Sequence, residues 1–267
     1  MTRQDVRDRL QTYLARCPSV LAVWEAGSAA FDRDDEYSDL DVGVLATVGS
    51  NNEVWDVVGW AFDELGGLAF RWNEPNPIFS GVDKRIFRPR GAREWFQVDI
   101  GIYPETATEL YNQPTRHGQV RVLFDHANRL TPPPWDEVQQ GRRMGEALHQ
   151  NLMKWQAYRG WFRKELTRGR PTDAFTIYFY TALLPLLAIL GMRYRPARWD
   201  FALRYVKEEF PPEVAEVVER LCYVPGPAAL EGRFAEADRL LQQTVDELRE
   251  RGVVPIDSKG TDITASK

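Results

Sequence analysis

Three aspartates in the N-terminal half lie on short apolar segments whose composition is typical of β-strands. Asp39 and Asp41 are two residues apart, and Asp99 is flanked by Val98 and Ile100. Side chains two positions apart on a strand point to the same face of the sheet. Neighbouring carboxylates repel each other unless a cation lies between them, and Mg²⁺ takes such oxygen ligands while leaving positions for water and phosphates. The pattern therefore predicts a divalent-cation site.

A third carboxylate would extend this chemistry. If the strand that carries Asp99 pairs beside the strand that carries Asp39 and Asp41, three carboxylates converge on one face. Such a set can hold two divalent ions and stabilise the attacking and leaving oxygens of an in-line phosphoryl displacement. Gly43 and Gly101 are the next residues on the acids' face, and we expect their missing side chains to leave room for a ligand.

A Gly-Ser pair precedes the first two aspartates by ten residues. Gly27 and Ser28 end a short apolar segment, so the backbone there can approach a phosphate closely and the serine hydroxyl can donate a hydrogen bond to it. The segment 82–93 supplies five basic residues, any of which could meet a triphosphate. These are Lys84, Arg85, Arg88, Arg90 and Arg93.

Each of these features has a simpler interpretation when taken alone. An Asp-x-Asp pair can solvate an exposed strand edge, a Gly-Ser turn is common, and an aspartate beside a glycine can end a strand. Their order and spacing together favour a catalytic site. The three histidines, His117, His126 and His149, lack metal-ligand spacing and are interpreted as surface or loop residues.

The elements that position these residues change in character along the chain. Hydrophobic periodicity predicts helices over 3–15 and 53–65 and strands over 20–26, 40–46, 68–72, 84–87, 95–103 and 120–124. Thr131 and the prolines that follow it resemble a linker. Beyond it we expect helices over 136–168, 198–208, 212–221 and 228–251. The predicted domains are a catalytic domain over 1–131, a helical substrate-binding domain over 135–252, and a frayed tail over 253–267.

One segment of the helical half has the composition of a membrane span. Residues 175–192 contain no charged side chain. This segment of 18 residues is at the lower limit of the length that can span a membrane. Arginines flank the segment on both sides, and it contains tyrosines, threonines and Pro185. We therefore predict a helix buried among other helices, bent at the proline, rather than a transmembrane helix.

Composition excludes several classes of protein. The 267 residues are 43% hydrophobic and 27% charged, values that are too apolar for a disordered chain. A net charge of −5 argues against a broad nucleic-acid surface, and two cysteines argue against a disulfide framework or a zinc site. The charged N-terminus does not read as a signal peptide, so we expect a cytoplasmic protein.

The motif Gly27-Ser28-x10-Asp39-Leu40-Asp41, followed by Asp99, resembles the DNA polymerase β-like nucleotidyltransferase superfamily. Within it, the layout is similar to small bacterial antibiotic nucleotidyltransferases of the lincosamide and aminoglycoside type. The resemblance covers residues 27 to 99 and implies an α+β fold. That fold has a nucleotidyltransferase-like mixed sheet with flanking helices, followed by a C-terminal helical bundle.

The resemblance also implies an activity and residue roles. It implies transfer of a nucleoside monophosphate, usually AMP from ATP, to a hydroxyl of a small molecule such as an antibiotic, with release of pyrophosphate. Gly27 and Ser28 would hold the phosphates. Asp39 and Asp41 would ligate Mg²⁺, with two ions expected. Asp99 would be the third ligand, the general base, or both. Partners would be a nucleoside triphosphate and a hydroxylated acceptor, with neither membrane nor nucleic acid expected.

Two rival hypotheses remain open. The chain could be a catalytically silent nucleotide-binding or regulatory module that pairs with another protein. The complete set of three acids argues against this, because a pure binder has no need of a base. It could also transfer a nucleotide to a protein or an RNA end, although the acidic balance disfavours RNA.

Overall fold

A computed structural model describes residues 1–75, 81–126, 128–257 and 259–264. The chain divides into two units, Met1–Trp135 and Asp136–Lys267. The assignment of catalysis to one unit and of substrate binding to the other stays a prediction.

Six strands build the N-terminal unit. They are β1 (Val20–Glu25), β2 (Leu40–Ala46), β3 (Leu68–Asn73), β4 (Asp83–Pro89), β5 (Val98–Pro104) and β6 (Arg121–Asp125). They form one mixed sheet in the order β3-β4-β5-β2-β1-β6. The central strands β2 and β5 are parallel, whereas the other neighbouring pairs are antiparallel.

One face of this sheet is covered by two helices. These are α1 (Arg3–Leu14) and α2 (Asn51–Glu64), whose buried residues share a hydrophobic core with alternate residues of β2 and β5. On the central strands that core is formed by Leu40, Val42, Val44, Val98, Ile100 and Ile102. Because side chains alternate between faces, the intervening residues of both strands, which include Asp41 and Asp99, point to the opposite face.

The end of β1 is anchored by a buried carboxylate. Glu25 is fully buried, and its side chain pairs with Arg3 and Arg7 of α1 and with Arg121 of β6. Three guanidinium groups offset the cost of removing one carboxylate from water. The cluster ties α1 and β6 to the point at which β1 ends and the chain turns into Gly27.

The C-terminal unit is helical. Its helices are α4 (Glu137–Thr167), α5 (Pro171–Ile177), α6 (Leu184–Tyr194), α7 (Val206–Glu209), α8 (Pro212–Cys222) and α9 (Pro227–Glu250); a four-residue helix, α3 (Pro114–His117), belongs to the first unit. The helices of the C-terminal unit enclose an apolar cluster, in which Phe234 of α9 stacks against Trp155 and Phe162 of α4. The sheet followed by a helical region confirms the predicted α+β class.

The helix predicted over 198–208 is wrong for most of its length. Ala202 and Tyr205 have φ values of 48° and 57°, and only Val206–Glu209 is helical. The buried Arg195 explains this, since its guanidinium donates to the carbonyls of Ala202 and Arg204 and pairs with Glu209. These side-chain contacts satisfy carbonyls that a helix would otherwise use.

The apolar segment contains a break in its regular helical hydrogen bonding. Residues Tyr178–Leu183 form a π-helical turn between α5 and α6, directly before Pro185 in the first turn of α6. Within the segment, the hydroxyl of Tyr178 donates to the carbonyl of Leu221 at 2.7 Å. Among the described residues, Pro171–Tyr194 is long and apolar enough to cross a membrane by length and composition, and 61% of its most apolar window is buried inside the structure.

The described part of the predicted frayed tail makes defined contacts. The amide of Ile256 donates to the carbonyl of Gly145 at 3.1 Å, and Ile256 also forms a β-bridge with Asp262. Gly145 allows this approach, because a Cβ there would lie 2.8 Å from the carbonyl oxygen of Val254. Residues 258 and 265–267 lie outside the described residues.

The Glu25 cluster generates a stability prediction. Replacing Glu25 with Ala leaves three cations without their shared carboxylate, and we expect a loss of about 3 kcal/mol in the free energy of unfolding. Urea unfolding followed by tryptophan fluorescence measures this loss. The control is Glu36→Ala at the exposed Arg93 pair, for which we expect less than about 1 kcal/mol. Equal losses in the two variants would contradict the anchoring role.

Candidate active site

Two of the predicted acids lie side by side in the sheet. Asp41 of β2 and Asp99 of β5 are register partners in the parallel pair. Adjacent strands are about 4.8 Å apart, so the two carboxylates start from neighbouring positions on the face that α1 and α2 leave uncovered. The parallel pairing thus brings together two of the three acids, Asp41 and Asp99.

Asp39 occupies a different position from the one predicted. β2 begins at Leu40, so Asp39 precedes the strand and is exposed, and its backbone carbonyl accepts a hydrogen bond from Nε of Arg3 at 2.9 Å. Its negative charge is still close enough to contribute to a raised pKa at Asp99, where burial is the largest cause. Asp39 therefore belongs to the same electrostatic cluster while remaining at its solvent-exposed edge.

Gly27 makes a close approach to Asp41. The glycine has φ +62°, and a Cβ placed on it would lie 1.8 Å from Oδ2 of Asp41. The preceding amide, that of Ala26, donates to the carbonyl of Asp41 at 2.9 Å. Both conformation and space therefore require a glycine at this turn, which leads into a short 3₁₀-helix over Gly27–Phe31.

Ser28 carries an unsatisfied polar atom. Its hydroxyl oxygen is buried and has no hydrogen-bond partner among the described residues. Buried hydroxyls are normally hydrogen-bonded, so an orphaned one beside a carboxylate cluster calls for a partner such as a phosphate oxygen. This observation agrees with the predicted phosphate-binding role of Gly27 and Ser28, which stays a prediction.

One of the five basic residues of the 82–93 segment, Lys84, completes the cluster. Nζ of Lys84 lies 2.9 Å from Oδ2 of Asp99 and 3.1 Å from Oε2 of Glu74. Burial works against the charge on Lys84, but the two carboxylates outweigh it and the pKa of Lys84 is raised. Burial raises the pKa of Asp99, whereas the Lys84 ammonium acts in the opposite direction. Lys84 therefore stays protonated beside a partly desolvated acid.

Most of the other basic residues of the 82–93 segment contact different groups. Arg85 lies over the Trp55 ring at 4.1 Å, on the side of the sheet that α2 covers. Arg93 pairs with Glu36 at 2.9 Å. Arg88 and Arg90 donate to backbone carbonyls of Glu94 and Leu68. Lys84 differs from these arginines in its place on the strand. It lies opposite Gly101, which is two residues from Asp99 and on the same face of the sheet.

The expectation that Gly43 and Gly101 leave room for a ligand is wrong. A Cβ on Gly43 would lie 2.1 Å from the Trp24 ring, and a Cβ on Gly101 would lie 3.0 Å from Cγ1 of Val82. Both glycines admit protein side chains instead. Trp24 packs against Tyr103 with ring centroids 5.2 Å apart, forming an apolar floor beside the acids. Burial, followed by neighbouring acidic groups, raises the pKa of Tyr103.

The residues present fit one divalent cation better than two. Across the described ranges, no group of three or more His, Cys, Asp or Glu side chains is arranged to hold a metal ion. Asp39 and Asp41 would supply the one or two carboxylates that Mg²⁺ needs when phosphates and water complete its shell. The carboxylate of Asp99, which a second ion would require, already contacts Lys84.

The solved structures that resemble this chain include two that can be described. A nucleotidyltransferase-like protein from Exiguobacterium sibiricum 255-15 is 14% identical, and the match covers 93% of this chain and 80% of that chain with a TM-score of 0.39. An aminoglycoside 6-adenyltransferase from Bacillus subtilis is 12% identical, with coverage of 92% and 89% and a TM-score of 0.35. No protein-family model matches the chain, and no curated protein sequence matches it.

Both neighbours carry names of the kind that the sequence resemblance predicts. Their identities and TM-scores are low, so neither likeness carries an argument about activity. The case for function depends on the geometry of Gly27, Ser28 and the acidic cluster.

The close approach of Gly27 to Asp41 generates a prediction. In Gly27→Ala the new Cβ must displace the Asp41 carboxylate, in addition to the cost of about 1–2 kcal/mol for a left-handed residue with a side chain. Gly91→Ala is the matched control, because Gly91 has φ +77° and a Cβ there would meet nothing within 4 Å. We expect Gly27→Ala to lose more unfolding free energy than Gly91→Ala. Equal losses would show that the contact with Asp41 costs nothing.

Proposed function

We propose that the protein is a nucleotidyltransferase that moves a nucleoside monophosphate from a nucleoside triphosphate, with ATP preferred, to a hydroxyl group of a small molecule and releases pyrophosphate. The observation that carries this proposal is the placement of Asp41 against both Gly27 and Asp99. The Asp41 carboxylate lies beside the Gly27 turn, and Asp99 is its register partner on β5.

The reaction assigns separate roles to the residues. Gly27 and Ser28 would bind the phosphates, with the orphaned Ser28 hydroxyl donating to a phosphate oxygen. Asp99 would accept the proton of the acceptor hydroxyl, whose oxygen attacks the α-phosphorus. The bond from that phosphorus to the bridging oxygen breaks, and pyrophosphate leaves with the electron pair. The raised pKa of Asp99 suits a proton acceptor, because a more basic carboxylate takes a proton more readily.

A divalent cation is part of this proposal. Asp39 and Asp41 would hold Mg²⁺, which when bound neutralises phosphate charge and polarises the phosphorus centre. The protein's own contribution would be orientation, because the paired strands β1, β2 and β5 would hold the base and the Gly27 turn at a fixed separation. We further propose that the helical unit supplies acceptor contacts, that antibiotics are among the acceptors to test, and that the protein is cytoplasmic.

An acceptor screen tests the function. The purified chain is incubated with Mg²⁺, each nucleoside triphosphate in turn, and a panel of hydroxylated small molecules that includes aminoglycosides and lincosamides. Pyrophosphate release that requires both an acceptor and Mg²⁺ supports the proposal. Nucleotide binding without release under every condition would instead support a silent nucleotide-binding module.

Three conservative substitutions separate the roles of the acids. Asp39→Asn and Asp41→Asn remove charge from the cation site, so Mg²⁺-dependent nucleotide binding should weaken and transfer should be lost. Asp99→Asn should bind Mg²⁺-nucleotide nearly normally, yet transfer about 10² to 10⁴-fold more slowly. Calorimetry measures binding, and pyrophosphate release measures turnover.

Asp56→Asn is the control, because Asp56 is an exposed acid on α2. It should leave both measurements unchanged. Loss of nucleotide binding in Asp99→Asn as complete as that in Asp41→Asn would make Asp99 chiefly a metal ligand. Full activity in all three variants would contradict the nucleotidyltransferase proposal.

A further inference from the structure

The contact between Lys84 and Asp99 carries an inference that rests on the proposed function. Lys84 is 16% exposed, and Asp99 is 22% exposed. A lysine pays a large entropic and desolvation cost when its ammonium is fixed in such a place, unless fixed carboxylates compensate it. Here two carboxylates do so, one from Asp99 and one from Glu74.

The sheet fixes this cation in place. β4 and β5 are antiparallel, with Lys84 opposite Gly101 and Ile86 opposite Asp99. The lysine side chain thus starts on the acids' face, one strand away from Asp99 and two strands away from Asp41. Glu74 follows β3, and its amide donates to the carbonyl of Lys84 at 3.0 Å. The ammonium is therefore held between a carboxylate on β5 and the carboxylate of the residue that follows β3.

The distribution of charge in the site favours an ammonium group over a second metal ion beside Asp99. Asp41 and Asp99 are register partners, whereas Asp39 lies at the exposed edge, so a second metal ion would have to share Asp99 with Asp41. Lys84 already places a positive charge at Asp99. Two cations at the same carboxylate repel each other strongly at low dielectric, so an ion there would have to displace the ammonium.

We propose that this nucleotidyltransferase works with a single divalent cation, held at Asp39 and Asp41, and that the Lys84 ammonium takes the place of a second ion beside Asp99. Lys84 is then a positioning residue for Asp99. It holds the carboxylate in place before the reaction and supplies a fixed positive charge near the attacking oxygen. Glu74 orients the ammonium from the other side.

Metal stoichiometry tests this proposal without relying on turnover. Equilibrium dialysis with Mn²⁺ in the presence of α,β-methylene-ATP, which cannot release pyrophosphate, gives the number of ions bound per bound nucleotide. We expect one for the wild type. We expect two for Lys84→Met, which has a similar length but no charge, because Asp99 then becomes available to the second ion.

Arg88→Met is the matched control. Arg88 lies on the same strand and has the same parity as Lys84, but its guanidinium donates to the carbonyl of Glu94. It should bind one ion per nucleotide, as the wild type does. Pyrophosphate release should fall by about 10²-fold or more in Lys84→Met, the scale for loss of one preorganised charge-stabilising group. Lys84→Arg should retain the single-ion stoichiometry.

The outcomes separate this inference from the proposed function. Two ions per nucleotide in the wild type would overturn the inference while leaving nucleotidyl transfer intact. One ion per nucleotide in both the wild type and Lys84→Met would also overturn it, because Lys84 would then exclude nothing. If Lys84→Met does not fold, Lys84→Gln, which also lacks the charge, is counted in its place with the same expectation. A wild type that binds no nucleotide at all would contradict the proposed function itself.

Discussion

Carboxylates on adjacent strands repel each other, and the candidate site depends on how this repulsion is managed. The parallel pairing of β2 and β5 places Asp41 and Asp99 in register, and neither can turn into the core, because the opposite face is filled by α1 and α2. The Lys84 ammonium offsets part of the charge, and the turn at Gly27 confines Asp41 from one side. In the proposed function, a cation at Asp39 and Asp41 would offset further negative charge.

The rest of the N-terminal unit supports this arrangement. The buried Glu25 and its arginines end β1 at a defined point, so that the glycine meets the Asp41 carboxylate. Trp24 fills the space above Gly43 and packs against Tyr103, which leaves an apolar surface next to the acids. A low-dielectric neighbour strengthens every charge interaction in the site, which is consistent with the raised pKa of Asp99.

The part of the site that depends on local spacing could be predicted from the sequence. The alternation around Asp41 and Asp99 shows which face each occupies, because strand side chains have a period of two. The role of Lys84 depends on which strand pairs with β5 and in which register, and periodicity carries no such information. The sequence likewise predicts open space beside Gly43, because periodicity does not show that Trp24 lies opposite it on β1. The helix predicted over 198–208 is wrong because the side chain of Arg195, which precedes the segment, binds its carbonyls, and hydrophobic periodicity does not report such a contact.

The central claim is that Asp39, Asp41 and the Gly27-Ser28 turn together bind a metal–nucleotide complex. The most direct measurement is a crystal structure of the chain with Mn²⁺ and α,β-methylene-ATP, in which anomalous scattering locates the metal. The account predicts a Mn²⁺ peak bound by the carboxylates of Asp39 and Asp41, with a phosphate oxygen within hydrogen-bond distance of the Ser28 hydroxyl. Nucleotide bound elsewhere, or no metal at these two carboxylates, would contradict it.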